Sequence, residues 1–283
     1  MTGTFKAACV QVAAGRELAP NIDAAVRLGR EARALGADFI TYPENVTMIE
    51  PVGAEALKKA LPESEHPAIP AFRALARETG AWILAGSLSI RAGEKKYANR
   101  SLLFDAGGNI VARYDKLHLF DVDLAGGERY RESERIAPGD RAVVAATPWG
   151  LLGMTICYDV RFPQLYRALA KAGAAMFTIP AAFTVQTGRA HWHILNRARA
   201  IECGAFVIAA AQCGTHAQGR RTFGHSLIVD PWGEMLAEGG ENEGVIVAEI
   251  DPARSDEARR RIPALQHDRA FSGPAAAAKD AAE

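Results

Sequence analysis

Apolar and polar positions along the chain switch repeatedly between a period of two and a helical period. Residues 5–12 alternate as a strand does. Ile22, Ala25, Val26, Leu28, Gly29 and Ala32 then recur at helical spacing across 21–35, and Gly36 follows as a C-terminal stop. A strand is predicted at 37–42 and a helix at 67–79 closed by Gly80. A long strand is predicted at 81–90, and a hairpin of 101–105 with 109–114 around Ala106-Gly107-Gly108. The apolar run 151–156 reads as a buried strand that feeds a helix over 164–171, just after Pro163. Strands at 175–180, 205–212, 224–230 and 245–250 follow, with a helix at 191–203. The turn Asp230-Pro231-Trp232-Gly233 precedes a further strand-like piece at 234–238. This alternation predicts an α/β fold, a mixed sheet system with helices outside, rather than a β-barrel or a helical bundle. No repeat and no linker rich in Pro, Gly or Ser interrupts it, so one domain over 1–271 is expected. The stretch from Ser272 onward has almost nothing large to bury and reads as a disordered tail.

Composition narrows the function without naming it. With 283 residues, 49% hydrophobic and 23% charged, the chain is that of an ordinary soluble protein large enough for a sandwich fold. Its 33 basic residues balance 33 acidic ones, and no basic run compensates, so nucleic acid is not an expected partner. The cluster Arg259-Arg260-Arg261 follows Asp256 and Glu257 and reads as a solvated helix face. Cys9, Cys157, Cys203 and Cys213 form no CxxC pair and no disulfide framework, which fits a reducing, cytoplasmic setting. The N-terminus lacks an apolar signal core, and no apolar stretch is long enough to span a bilayer, so no membrane partner is expected.

Three ionisable residues sit where strands end. Cys157 stands on the strand-to-helix turn after 151–156, Glu44 ends the run 37–44, and Lys116 ends 110–116. In α/β sheets, ligands and chemistry collect at the carboxyl ends of strands. Each residue has a plain structural reading. A strand-end Cys is commonly a small buried hydrophobe, Glu44 can pair with a surface lysine, and Lys116 can close an edge strand. The set of three reads differently if the strands are neighbours. A thiol attacks as a thiolate and needs a base or a positive neighbour. Glu44 is the candidate base if burial raises its pKa. Lys116 would favour the thiolate and stabilise the negative oxygen of a tetrahedral intermediate, with the backbone N–H of Tyr158 as second donor. Those roles amount to acyl transfer to a cysteine followed by hydrolysis.

The segments Tyr42-Pro43-Glu44, Tyr114-Asp115-Lys116-Leu117-His118-Leu119-Phe120-Asp121 and Cys157-Tyr158-Asp159-Val160-Arg161-Phe162-Pro163 resemble, in order, the three signature segments of the nitrilase superfamily of carbon–nitrogen hydrolases. Ala190-His191-Trp192, the stretch 197–202, Gly224-His225-Ser226 and the turn 230–233 add to the resemblance, which covers about residues 5–271. It implies a four-layer α-β-β-α sandwich with two mixed sheets. It implies Glu44 as general base, Lys116 as intermediate stabiliser and Cys157 as nucleophile. It also implies a second glutamate near the lysine; Glu132 matches that segment best, with Glu128 and Glu134 close by.

The motif around Cys157 and the run Pro180-Ala181-Ala182-Phe183 are most similar to the branch of omega-amidase and deaminated glutathione amidase. The resemblance implies hydrolysis of a small carboxylate-bearing amide with release of ammonia. A nitrilase or an N-carbamoyl amino acid hydrolase with the same triad is the alternative, and a non-catalytic binding protein of the same fold is a third. Arg161, four residues beyond the nucleophile, either grips a substrate carboxylate or pairs internally with Asp159 or a nearby Glu. By resemblance Phe183 and Thr187 line the same pocket, although Phe183 reads equally well as a core aromatic. His191 and His193 are two apart and face different sides of a helix, and His216 and His225 have no ligand-like companions in sequence, so neither a metal nor another cofactor is expected. The resemblance implies a homodimer or higher homo-oligomer, with the contact sought at 201–204 and the C-terminal strand.

Overall fold

A computed structural model describes residues 3–125 and 127–273. From residue 274 on, the expected tail lies outside them. Two mixed sheets form the centre. The first has eight strands in the order Gly244–Ile250, Phe5–Gln11, Phe39–Thr41, Trp82–Leu84, Tyr97–Phe104, Leu88–Arg91, with Ile110–Asp115 and Ile136–Ala137 also pairing with Tyr97–Phe104. The second has six, in the order Val143–Thr147, Gly150–Met154, Met176–Thr178, Phe206–Ala209, Leu227–Val229, Met235–Glu238. Each has a parallel centre, 5–11 with 39–41 and 82–84 in one, 150–154 with 176–178 and 206–209 in the other.

The central strands are buried on both faces, which is why they read as short apolar runs. Phe39–Thr41, Met176–Thr178 and Phe206–Ala209 are buried at every position. The expected alternation in 5–12 is not what the structure shows: Lys6 is exposed, whereas residues 7–11 are all buried, because that strand lies inside the sheet and is covered on both sides. On one side Ala8 and Val10 pack with Ile40 and Ile83 under the helices Leu18–Ala34 and Ala68–Thr79, which contribute Leu28 and Phe72. On the other side Ala7, Cys9, Phe39 and Leu84 meet Leu152, Met154 and Met176 of the second sheet. That sheet is covered in turn by Leu165 and Leu169 of Pro163–Lys171 and by Ala200 and Cys203 of His193–Cys203. The layers therefore run helix, sheet, sheet, helix.

The strand expected at 81–90 is broken in two, with physical consequences for the site. Gly86 adopts φ +59°, and a Cβ there would lie 2.0 Å from the Pro43 carbonyl oxygen. The break lets residues 85–87 cradle the segment that carries Glu44: Ser87 N–H donates to Pro43 O at 3.3 Å, and Ser87 Oγ accepts from Asn45 N–H at 2.9 Å. Only glycine combines that φ with so close an approach. Gly86→Ala is expected to destabilise the chain by roughly 2 kcal/mol or more, lowering Tm by several degrees in a thermal melt, and to reduce activity by displacing Glu44. An unchanged Tm would show that the close approach carries no stability.

Candidate active site

Glu44 follows Phe39–Thr41 through Tyr42 and Pro43. Tyr42 is fully buried and its hydroxyl donates to Ala25 O at 2.8 Å, which fixes the strand end under the helix Leu18–Ala34. Lys116 follows Ile110–Asp115, and its backbone N–H donates to Asn99 O at 3.0 Å. Cys157 opens the single turn Cys157–Arg161 after Gly150–Met154, with φ +49°; its N–H donates to Pro180 O at 2.9 Å. A non-glycine residue in that region is strained, and such strain gathers at functional sites.

The three ends converge. Lys116 Nζ donates to Glu44 Oε1 at 2.7 Å and to Glu132 Oε2 at 2.8 Å, with its side chain 1% exposed. Glu44 Oε1 also accepts from Asn99 Nδ2 at 2.9 Å, and Oε2 from the Ala182 N–H at 3.1 Å. Glu132 Oε2 additionally accepts the Phe120 N–H at 2.9 Å. Of the three glutamates near the lysine in sequence, it is Glu132 that reaches it. Glu44, Lys116, Glu132 and Cys157 line one small cavity of about 20 Å³, room for a single water.

Asp159 holds the two sheets in register at this point. Its buried carboxylate accepts from Ile156 N–H at 2.9 Å on the Cys157 turn, and from Tyr114 Oη at 2.6 Å and His118 N–H at 3.0 Å on the Lys116 segment; it also meets His118 Nδ1 at 2.7 Å. The spacing Tyr114, Lys116, His118 thus has a cause. The residues flanking the lysine tie its strand to the cysteine turn.

The electrostatics correct two expectations. Burial is the largest single influence on Glu44 and raises its pKa, but the Lys116 charge and hydrogen bond, the hydrogen bond from Cys157 and the Arg220 charge together outweigh it, and the net direction is down. Burial, followed by the Glu44 carboxylate, pushes the Cys157 thiol well above its ordinary value, and Lys116 only partly opposes this. Burial alone would lower the Lys116 pKa, yet Glu132 and then Glu44 hold it well above its ordinary value. At neutral pH the trio is therefore carboxylate, ammonium and neutral thiol, not a resting thiolate. The other cysteines are buried and burial pushes each to about 12; none lines this cavity.

The remaining residues singled out in the sequence divide. Tyr158, Phe183 and Thr187 line the cavity. Phe183 serves both of its readings, since its ring also lies 4.8 Å from that of Trp192. Arg161 does not line it. Its Nη2 lies 3.2 Å from His191 Nδ1, and its guanidinium sits over the Tyr158 and Phe183 rings at 5.9 and 5.6 Å, so it backs the pocket wall. Nor does it pair with Asp159, whose oxygens are occupied elsewhere. His225 has companions that sequence did not reveal: Glu238 Oε1 lies 2.9 Å from His225 Nδ1 and 2.8 Å from His193 Nε2. Asn99, the Ala182 backbone and Arg220 were missed altogether, because no local pattern marks a residue whose role depends on a distant partner.

With this geometry in view, comparison with known proteins is direct. Residues 6–260 match the carbon–nitrogen hydrolase family. The deaminated glutathione amidase of Yersinia enterocolitica is 42% identical over 240 residues, covering 84% of each chain. The human deaminated glutathione amidase is 39% identical over 267 residues, covering 93% of this chain and 81% of that one. The NitFhit protein of C. elegans superposes with a TM-score of 0.88 at 36% identity; 95% of this chain matches, spanning 66% of that longer one. An amidase mutant from Nesterenkonia, carrying the acetamide moiety of fluoroacetamide on its active-site cysteine, superposes with a TM-score of 0.79 at 27% identity over 95% of both chains. This chain belongs to the carbon–nitrogen hydrolase family. Its reaction is amide hydrolysis, on carbon–nitrogen bonds other than peptide bonds.

A neutral resting thiol has a measurable consequence. Alkylation of Cys157 by iodoacetamide is expected to be slow at neutral pH and to show no inflection below the ordinary thiol value of 9.0. A titration of the rate centred near pH 6 would contradict the assignment of charges. With Glu44 in the role of base expected from the sequence, the acid limb of kcat/KM is expected below its ordinary value of 4.5, because its pKa is depressed and the carboxylate is lost only as pH falls through that lowered value.

Proposed function

We propose that Cys157 is the nucleophile of this amidase, Glu44 its general base and acid, Lys116 the cation that stabilises the intermediate, and Glu132 the group that positions Lys116 and the attacking water. The observation that carries this reading is the burial of Lys116 between Glu44 and Glu132 against the thiol. Such a pair is a poor device for stability, since desolvating the charges offsets most of their attraction, whereas perturbed groups clustered in a cleft are what catalysis requires.

The steps follow from the resting charges. As an amide carbonyl reaches Cys157, Glu44 takes the thiol proton while the sulfur attacks the carbonyl carbon. The negative oxygen is met by the Lys116 ammonium and the Tyr158 N–H. The C–N bond breaks as Glu44 passes its proton to the leaving nitrogen, and an acyl thioester remains on Cys157. Water then enters the space the amine vacates, Glu44 removes its proton, and collapse of the second tetrahedral adduct releases the carboxylic acid and restores the thiol.

The substrate we infer is a small amide of a carboxylate-bearing acid, of the 2-oxo acid or deaminated glutathione type. The names of the relatives support that class. A primary amide would release ammonia and a substituted one an amine. Phe183 and Thr187 would contact the acyl chain, with Arg161 holding the wall they belong to. A second copy of the chain is the expected macromolecular partner, supported by the exposed Ile201 and Trp232 near the segment 201–204.

Cys157→Ala is expected to reduce amide turnover by roughly 10⁴-fold or more and Glu44→Gln by about 10²–10⁴-fold. Intact-mass analysis during turnover of a slow amide should show an acyl adduct on Cys157 in the native chain and none in Cys157→Ala. Undiminished turnover by Cys157→Ala, across a panel of 2-oxo acid amides, nitriles and carbamoyl amino acids, would overturn the nucleophile. Turnover of a nitrile or carbamoyl compound alone would overturn the substrate class.

A further inference from the structure

Apart from the cavity of Glu44, Lys116 and Cys157, two imidazoles converge on one carboxylate oxygen. Glu238 Oε1 lies 2.8 Å from His193 Nε2 and 2.9 Å from His225 Nδ1, and the three atoms fall within 4.8 Å of one another. None of these residues lines that cavity, and the steps proposed above use none of them. They come from three places in the chain. His193 opens the helix His193–Cys203, His225 follows Arg221–Phe223 through Gly224, and Glu238 ends Met235–Glu238. Their side chains are 30%, 22% and 33% exposed, so solvent reaches the point where they meet.

The fold holds each of them there. His225 takes φ +55°, a strained conformation for a residue other than glycine. Its N–H donates to Gly240 O at 3.0 Å, and its carbonyl accepts from Trp192 Nε1 at 2.7 Å, which ties it to the residue just before His193. Ser226 is tied as well: its N–H donates to Gln11 Oε1 at 2.8 Å, and its carbonyl accepts from the N–H of Gly239, next to Glu238, at 2.7 Å. The His225 ring stacks on Phe223 with centroids 4.3 Å apart. The three segments are therefore joined by bonds that do not involve the two imidazoles or the carboxylate. Among the described residues, His193 Nδ1 and His225 Nε2 make no protein hydrogen bond. Each ring can carry its proton there and turn a bare nitrogen toward the meeting point.

We propose that His193, His225 and Glu238 form a zinc site, with water as the fourth ligand. Two imidazoles and a carboxylate are a donor set that zinc takes, whereas magnesium and calcium prefer oxygen ligands alone. Zinc bonds of about 2.1 Å place neighbouring donors of a tetrahedron roughly 3.4 Å apart, between the shortest separation here and the 4.8 Å limit. The bound ion clamps the start of the helix 193–203 to the turn 224–226 and to the end of the strand 235–238. Its role is structural and separate from the amidase reading. The expectation of no metal rested on spacing along the chain, and these ligands lie on three distant segments.

Titration calorimetry with zinc chloride tests this on Cys157→Ala cleared of metal with a chelator; the substitution keeps the cavity thiol from taking the ion. One zinc per chain is expected, and magnesium chloride should show no binding. In the same background, His193→Ala or His225→Asn should weaken zinc binding about 100-fold or more, since losing an outer-shell partner alone costs about 10- to 100-fold. Ala suits the helix start at 193 and Asn tolerates the positive φ at 225; circular dichroism confirms that each variant folds. In a thermal melt, zinc at about 100 times its dissociation constant should raise the Tm of Cys157→Ala by about 5 °C, and the same concentration should leave the ligand variants nearly unchanged. Cobalt(II) gives a readout that needs no ligand variant: the visible bands of a four-coordinate ion, abolished when zinc displaces it. The proposal is overturned if Cys157→Ala binds no zinc, if either ligand substitution leaves zinc binding undiminished, if magnesium binds as tightly, or if cobalt shows only a six-coordinate spectrum.

Discussion

The buried ammonium of Lys116 is the constraint around which this molecule is organised. A lysine at 1% exposure is tenable only if its charge is matched, and two carboxylates match it, Glu44 at 2.7 Å and Glu132 at 2.8 Å. The three groups cannot be moved independently. Removing the lysine would leave the buried Glu44 carboxylate and the partly buried Glu132 carboxylate facing each other, and removing Glu44 would leave the ammonium with one partner fewer. The surrounding contacts serve this arrangement. Gly86 admits the Glu44 turn, Asn99 and Ala182 orient its oxygens, and Asp159 braces the Lys116 segment against the cysteine turn.

The sandwich explains why so much charge can be assembled there. Glu44 and Lys116 come from one sheet and Cys157 from the other, so the cavity opens where two apolar layers end together. Burial strengthens each electrostatic interaction in it. The same burial keeps the thiol protonated until a substrate arrives. A reactive thiolate exposed to solvent would be prone to oxidation, whereas in the proposed mechanism a neutral thiol beside a carboxylate is activated only in the act of attack.

Much of this was legible in the chain. The three strand ends carrying Glu44, Lys116 and Cys157 stand out because each interrupts an apolar run with an ionisable group, and their order matches a known family. Glycine stops at Gly36 and Gly80 marked helix ends to within a residue or two. What stayed hidden depends on contacts distant in sequence. The break at Gly86 depends on the Pro43 carbonyl, which periodicity does not see. The short helix Gly53–Lys59 was not anticipated, set as it is among Pro51, Gly53 and Pro62. Arg220 lies in a stretch, Gly219-Arg220-Arg221, that looks like any polar turn until the hairpin sets it against the cavity of Glu44, Lys116 and Cys157. The direction of the Glu44 shift required knowing that Lys116, Cys157 and Arg220 all converge on it and together exceed the effect of burial.

The central claim is that Glu44 is charged and Cys157 protonated at rest, with the proton crossing between them during attack. Infrared difference spectroscopy of the native chain against Cys157→Ala at neutral pH measures this most directly. An S–H stretching band assigned to Cys157, lost when a slow amide acylates the protein, is the predicted result. Absence of that band in the resting protein, with the thiolate already formed, would contradict the account.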